Sequence, residues 1–127
     1  MNNFVGKWGL YQWFEEHGIN LVHPDDLNAF RALMPNGKVF ECEAENEFLT
    51  LRYGNMRYRV KPELFKPVEE PKYRFGQHVI IKDCNVEATI DEIQWHFNNM
   101  EPMFFVNKEH KRLTKRFWTK DLMPVFS

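Results

Sequence analysis

Arg57-Tyr58-Arg59-Val60-Lys61-Pro62-Glu63-Leu64-Phe65-Lys66-Pro67-Val68 closes the first half of this chain, and Lys115-Arg116-Phe117-Trp118-Thr119-Lys120-Asp121-Leu122-Met123-Pro124-Val125 closes the second. Each stretch reads as a basic, aromatic strand, then a short turn ending in an acidic residue plus Leu, then Pro-Val. In the first, Arg57 and Arg59 alternate with Tyr58 and Val60, the period of two expected of a strand with one wet and one buried face. Lys61-Pro62-Glu63-Leu64 predicts a single turn with Pro at its first position. Thr119-Lys120-Asp121-Leu122 predicts its counterpart, capped by the Thr119 hydroxyl.

Working outward from the first ending, Phe48 to Tyr53 and Met56 to Val60 flank Gly54-Asn55 as a tight hairpin. Val39, Phe40 and Cys42 open an earlier strand that ends at the turn Glu45-Asn46. Upstream, Pro24 suits a first helical position, while Asp25 and Asp26 suit the positive end of the helix dipole. Leu27, Phe30 and Leu33 or Met34 then share a face, and Pro35-Asn36-Gly37 ends one short helix over 24–34. Ile19 to Val22 predicts a short strand, and His23 a turn or capping residue. Phe4 to Phe14, with Trp8, Tyr11, Trp13 and Phe14, is expected to form an aromatic lid packed over the strands of its own half or over the joint between the halves, with an exposed recognition patch as the alternative.

Around the second ending, Tyr73 to Lys82 predicts a strand entry with a bend at Gly76. Glu87 to Phe97 predicts a long strand, and the step from Ile90 to Ile93 places a bulge near Asp91-Glu92. Met103 to Val106 is the next strand, Asn107 to Lys111 a turn, and Arg112 to Trp118 the returning strand. Pro67, Glu69, Glu70, Pro71 and Lys72 predict a stiff linker. The expected organisation is an N-terminal half over 1–66, a linker over 67–72 and a C-terminal half over 73–127.

Phe75-Gly76-Gln77-His78-Val79, Ala88-Thr89-Ile90-Asp91-Glu92-Ile93, Phe104-Phe105-Val106 and Trp118-Thr119-Lys120-Asp121-Leu122 resemble an SH3-like barrel of the Tudor and KOW sort. The first half resembles it through its ending. The resemblance implies a mostly-β chain of two small SH3-like barrels packed together, with one short helix in the N-terminal half. SH3-like barrels bind peptides, nucleic acids and modified side chains alike, so it carries little functional detail. With Trp8-Gly9-Leu10-Tyr11 and His23-Pro24-Asp25-Asp26-Leu27, the whole chain also resembles small bacterial or phage proteins of unknown function.

Composition supports a small binding module. The chain has 127 residues, 43% of them hydrophobic, with 12 Phe, 4 Trp and 4 Tyr, and a formal net charge of −1. Residues 1–70 hold 8 basic and 11 acidic residues, a net −3; residues 71–127 hold 9 and 7, a net +2. A local basic surface is thus expected only in the second half. Cys42 and Cys84 form no CxxC pair, so a closed zinc site is not expected. Nothing in the sequence predicts a membrane segment, and the expected location is cytoplasmic.

No GxSxG, P-loop, HExxH or close Cys-His pair is present, and no two of the five histidines fall on a common helical face. No enzyme, cofactor or metal site is expected, and His23, Asp25 and Asp26 are accounted for by helix capping. The expected function is therefore recognition of a protein partner, with Tyr73, Trp95 and Trp118 as candidate contacts. The alternative is nucleic acid, held by Lys111, Arg112, Lys115 and Arg116 with Trp118 as a stacking surface. Trp118 has two readings. Alternation from Leu113 and Phe117 turns it outward, whereas aligning it with Val60 turns it inward.

Overall fold

The structure, a computed structural model, describes residues 3–125. It divides into two compact units, Met1–Glu70 and Pro71–Ser127. In the first, β1 (Trp8–Tyr11), β2 (Val39–Glu45), β3 (Leu49–Tyr53), β4 (Met56–Val60) and β5 (Phe65–Val68) form an antiparallel sheet of order β4-β3-β2-β1-β5. A single helix, α1 (Leu27–Leu33), lies in the β1–β2 connection. Its Phe30 is fully buried, with ring centroids 5.9 Å from Tyr11, 5.8 Å from Trp13 and 5.4 Å from Tyr58.

Four local expectations change here. Trp8–Tyr11 is not a lid but an interior strand between β2 and β5. Gly9 makes that strand possible, because a Cβ there would lie 2.6 Å from both the Lys66 carbonyl oxygen and Phe65 Cζ. The helix starts at Leu27 rather than Pro24, since Pro24 to Asp26 form a turn. The Asp26 N–H donates to the His23 carbonyl at 2.9 Å and the Asp25 N–H to His23 Nδ1 at 3.0 Å, so His23 caps the turn as expected. Ile19–Leu21 forms a 3-10 turn instead of a strand, and only Val22 bridges to Val60. Pro67 and Val68, at the start of the expected linker, lie within β5.

In the second unit, β6 (His78–Ile81), β7 (Val86–His96), β8 (Glu101–Lys108), β9 (Lys111–Arg112) and β10 (Leu122–Pro124) form a sheet of order β10-β6-β7-β8-β9. Its core includes Val79, Ile81, Ile90, Ile93, Trp95, Phe104 and Phe117. The expected returning strand Arg112 to Trp118 is broken. Leu113 donates its N–H to the Val106 carbonyl at 3.0 Å, a bend follows at Thr114 and Lys115, and Phe117 then exchanges two 2.8 Å bonds with Phe104.

The chain is mostly β with one helix, and its two sheets share a strand order. In each, the last strand pairs with the first after a 3-10 turn, Pro62–Leu64 or Thr119–Asp121. The register agrees as well: Leu10 stands between Val39 and Lys66, and Ile80 between Glu87 and Met123. Both second strands bulge at the same place, between Cys42 and Ala44 and, as predicted, between Ile90 and Glu92. The bulged acids even keep their arginines: Glu43 lies 2.6 Å from Arg57, and Asp91 lies 3.9 Å from Arg112. The sheets part company in the returning strand. Only Tyr58 and Arg59 separate Arg57 from Val60, whereas Leu113 to Arg116 separate the equivalent Arg112 from Phe117. The second sheet therefore carries two additional residues at that point.

Candidate functional site

Those additional residues border a cleft at one end of the second sheet. β6 ends at Ile81, and Lys82 to Asn85 turn the chain into β7, with Asn85 in the left-handed region at φ 57° and its N–H bonded to the Ile81 carbonyl at 2.8 Å. The Lys82 N–H donates to the Asp121 carbonyl at 2.9 Å, joining this turn to the terminal 3-10 turn. Between them and the bend at Thr114-Lys115 lies a cleft of about 410 Å³, its buried floor made by Ile81 and Phe117 and its rim by Lys82, Lys115 and Lys120. An adjoining cleft of about 300 Å³ shares that floor and adds Cys84, Leu113 and Thr114. A more polar half thus abuts a more apolar one, in the size range of sites that hold a ligand group.

The rim is electrostatically uneven. Asp83 and Asp121 contribute carboxylates, but Asp121 Oδ2 already accepts the Trp118 N–H at 2.9 Å. Lys115 Nζ sits 5.4 Å from the Phe117 ring centroid. Among the described residues, none of the three lysine ammonium groups forms an ion pair. Their charge is open to an incoming anion, over a floor that excludes water from one side.

The first sheet shows what belongs at this end of the architecture. By register, Tyr11 is the counterpart of Ile81, and Phe40 that of Ala88. There the long β1–β2 connection delivers Phe30 onto Tyr11, Phe40 and Tyr58. It also delivers Asp26, whose carboxylate accepts the Arg59 N–H and Nε–H, both at 2.9 Å. That hydrogen bonding from Arg59 holds the Asp26 carboxyl below the usual aspartate range. The corresponding connection in the second sheet is only Lys82 to Asn85 and carries no such plug.

A protein-family model matches residues 1–123 and so takes in both units. The chain belongs to this family of unknown function, DUF6960. No curated protein and no solved structure matches it. Among the described residues, no helix is long and apolar enough to cross a membrane, and no group of three His, Cys, Asp or Glu side chains is placed to hold a metal ion.

The residues singled out from sequence fall in three places. Tyr73, 2% exposed, donates its hydroxyl to the Leu122 carbonyl at 3.0 Å, and Trp95 is 6% exposed. Both are core residues and present no contact surface, which corrects their expected role. Trp118 is half-buried on the outer face, edge-on to His96 at 5.1 Å and with the Arg116 guanidinium 5.1 Å from its ring. Phe117, not Trp118, is the register counterpart of Val60, so alternation gave the right orientation and the alignment of endings was one residue out.

The basic hairpin does not act as one patch. Arg112 is paired with Glu92 and stacks over Phe105 at 5.0 Å, while Arg116 Nη1 lies 3.5 Å from Met103 Sδ. Lys111 is exposed at the β9 edge. Lys115 instead lines the cleft with Phe117. Sequence reasoning overlooked Lys82 and Cys84, which join the cleft only through the pairing of β6 with β10 and the fold-back of residues 113–117.

Proposed function

We propose that this chain is a non-enzymatic interaction module, built as two SH3-like barrels of the Tudor and KOW sort, that docks a protein partner in the cleft of its second unit. The shared strand order, the shared bulge and the 3-10 turn before each last strand support the barrel reading. One observation carries the docking reading: a cleft stays open above Ile81 and Phe117, rimmed by lysines that form no ion pair among the described residues, where the first sheet is filled by Phe30. Strand addition at β5 or β10 is the weaker route. Each of these edge strands contains a proline, Pro67 or Pro124, and proline offers no N–H to an added strand.

The test uses Cys84, which is exposed and borders the cleft, while Cys42 is buried. A photo-crosslinker attached to Cys84 should give a discrete protein adduct in native lysate. The same label at Asn55→Cys in a Cys84→Ser background should not. Adducts of equal yield from both positions, or none from either, contradict docking at the cleft.

Nucleic-acid binding is the second reading, favoured by the half-buried Trp118 and its Arg116 neighbour. It is the weaker one, because Arg112 is already paired and Lys115 faces the cleft. Labelled single- and double-stranded oligonucleotides titrated at two salt concentrations should show no salt-sensitive binding. Binding that falls with salt and with Lys115→Ala plus Arg116→Ala would reverse the order of the two readings.

A further inference from the structure

A docking cleft requires a ligand of definite chemistry, and the two sheets together specify one. Resting on the docking reading above, we infer that the cleft takes an acidic segment of a partner protein that inserts one large apolar side chain.

The anchor follows from the floor. Ile81 and Phe117, 3% and 5% exposed, close the bottom of the cleft, and the half-buried Leu113 supplies the apolar wall that an incoming side chain can cover in the adjoining cleft. Burying one aliphatic or aromatic side chain against that wall is favourable. The acidic flanks follow from the rim, where Lys82, Lys115 and Lys120 form no ion pair among the described residues. Carboxylates beside the anchor would engage them with charge-assisted hydrogen bonds at a partly desolvated edge.

The first unit contains the same recognition within one chain. Its β1–β2 connection runs Asp25-Asp26-Leu27-Asn28-Ala29-Phe30. The acidic pair meets Arg59 at 3.7 and 2.9 Å, and Phe30 enters between Tyr11 and Tyr58. An acidic segment with an aromatic anchor is therefore how this architecture closes the end of the first sheet. In the second sheet the connection is too short to supply that segment, Ala88 replaces the bulk of Phe40, and the lysines of the rim stand in for Arg59 as the cationic side.

A nucleic acid fits the cleft less well. Phe117 lies too deep to offer a face to a base, and Asp83 and Asp121 would stand against a run of phosphates. A peptide places its carboxylates singly and can avoid them.

The experiment is fluorescence anisotropy on the full chain, with a labelled peptide of aspartates and glutamates around a central Leu-Phe pair. Binding should weaken by about tenfold or more when Lys115→Glu and Lys120→Glu are combined, or when the Leu-Phe pair becomes Gly-Ser. It should be unchanged by Arg116→Ala, which lies on the other face. Both lysines are exposed, and unaltered circular dichroism would verify that the double variant folds. The inference is overturned if the Gly-Ser peptide binds equally well, if a lysine-rich peptide with the same anchor binds better, or if an oligothymidylate outcompetes the peptide at these lysines. It is likewise overturned if Cys84 captures a partner yet no acidic peptide binds, in which case the docking reading survives without it. Failure of both experiments removes both.

Discussion

At the scale of single residues, the structure turns on side chains whose neighbours leave no freedom. Gly9 faces Phe65 and the Lys66 carbonyl too closely for any Cβ. Gly9→Ala should destabilise the chain by about 1–3 kcal/mol through overpacking, measured by urea denaturation; a neutral result would mean that β5 does not pack on β1 as described. Asp26 ties the start of α1 to β4 through Arg59. Its pKa is depressed chiefly by the Arg59 side-chain hydrogen bond, so its contribution is complete above the ordinary aspartate range and is lost as pH falls through the lowered value. Asp26→Asn should therefore flatten the acid limb of the stability profile below about pH 4, while the native chain loses stability there. The cysteines differ as well. Cys42 is buried and its thiol pKa is raised, first by that burial, whereas Cys84 is exposed. A thiol reagent should modify one cysteine per native chain, Cys84, and both after denaturation.

At the scale of elements, the two terminal segments separate what alternation can reveal from what register adds. Phe117 is the inward residue that bridges Phe104, and Trp118 covers the outer face beside His96. Phe117→Ala should cost about 3–5 kcal/mol and Trp118→Ala clearly less, with calorimetry or denaturant melts as the measure. The reverse order would place the endings in the alternative alignment. Strands with one wet face, such as β3, β4 and β7, were legible because their side chains alternate. The bulge at Asp91 was legible for the same reason, as a break in alternation. β1 was not, because Trp8 to Tyr11 are all buried and show no period. The start of α1 was misread because Pro24 and the two aspartates fit both a helix start and a turn. Only the carboxylate bonds to Arg59, which lies 33 positions away along the chain, decide between them.

At the scale of the whole molecule, two sheets of one order are fitted out differently. The first keeps a long connection and fills its own end with Phe30; the second shortens that connection, lengthens the returning strand and leaves a lysine-rimmed cleft. The −3 and +2 halves of the chain were legible from composition, and the paired endings pointed to the region that differs. The cleft itself was not legible, because Ile81, Lys82 and Cys84 meet Lys115 and Phe117 only through long-range pairing. Aromatic content likewise misled: Tyr73 and Trp95 serve the core, where large rings stabilise small units that bury little surface.

Backbone amide spectra of the full chain during titration with the acidic Leu-Phe peptide test this account most directly. Shifts should concentrate on residues 81–84 and 113–121, with Lys115 and Lys120 among the most affected. Shifts centred on His96, Arg116 and Trp118 instead, or none at saturating peptide, would contradict it.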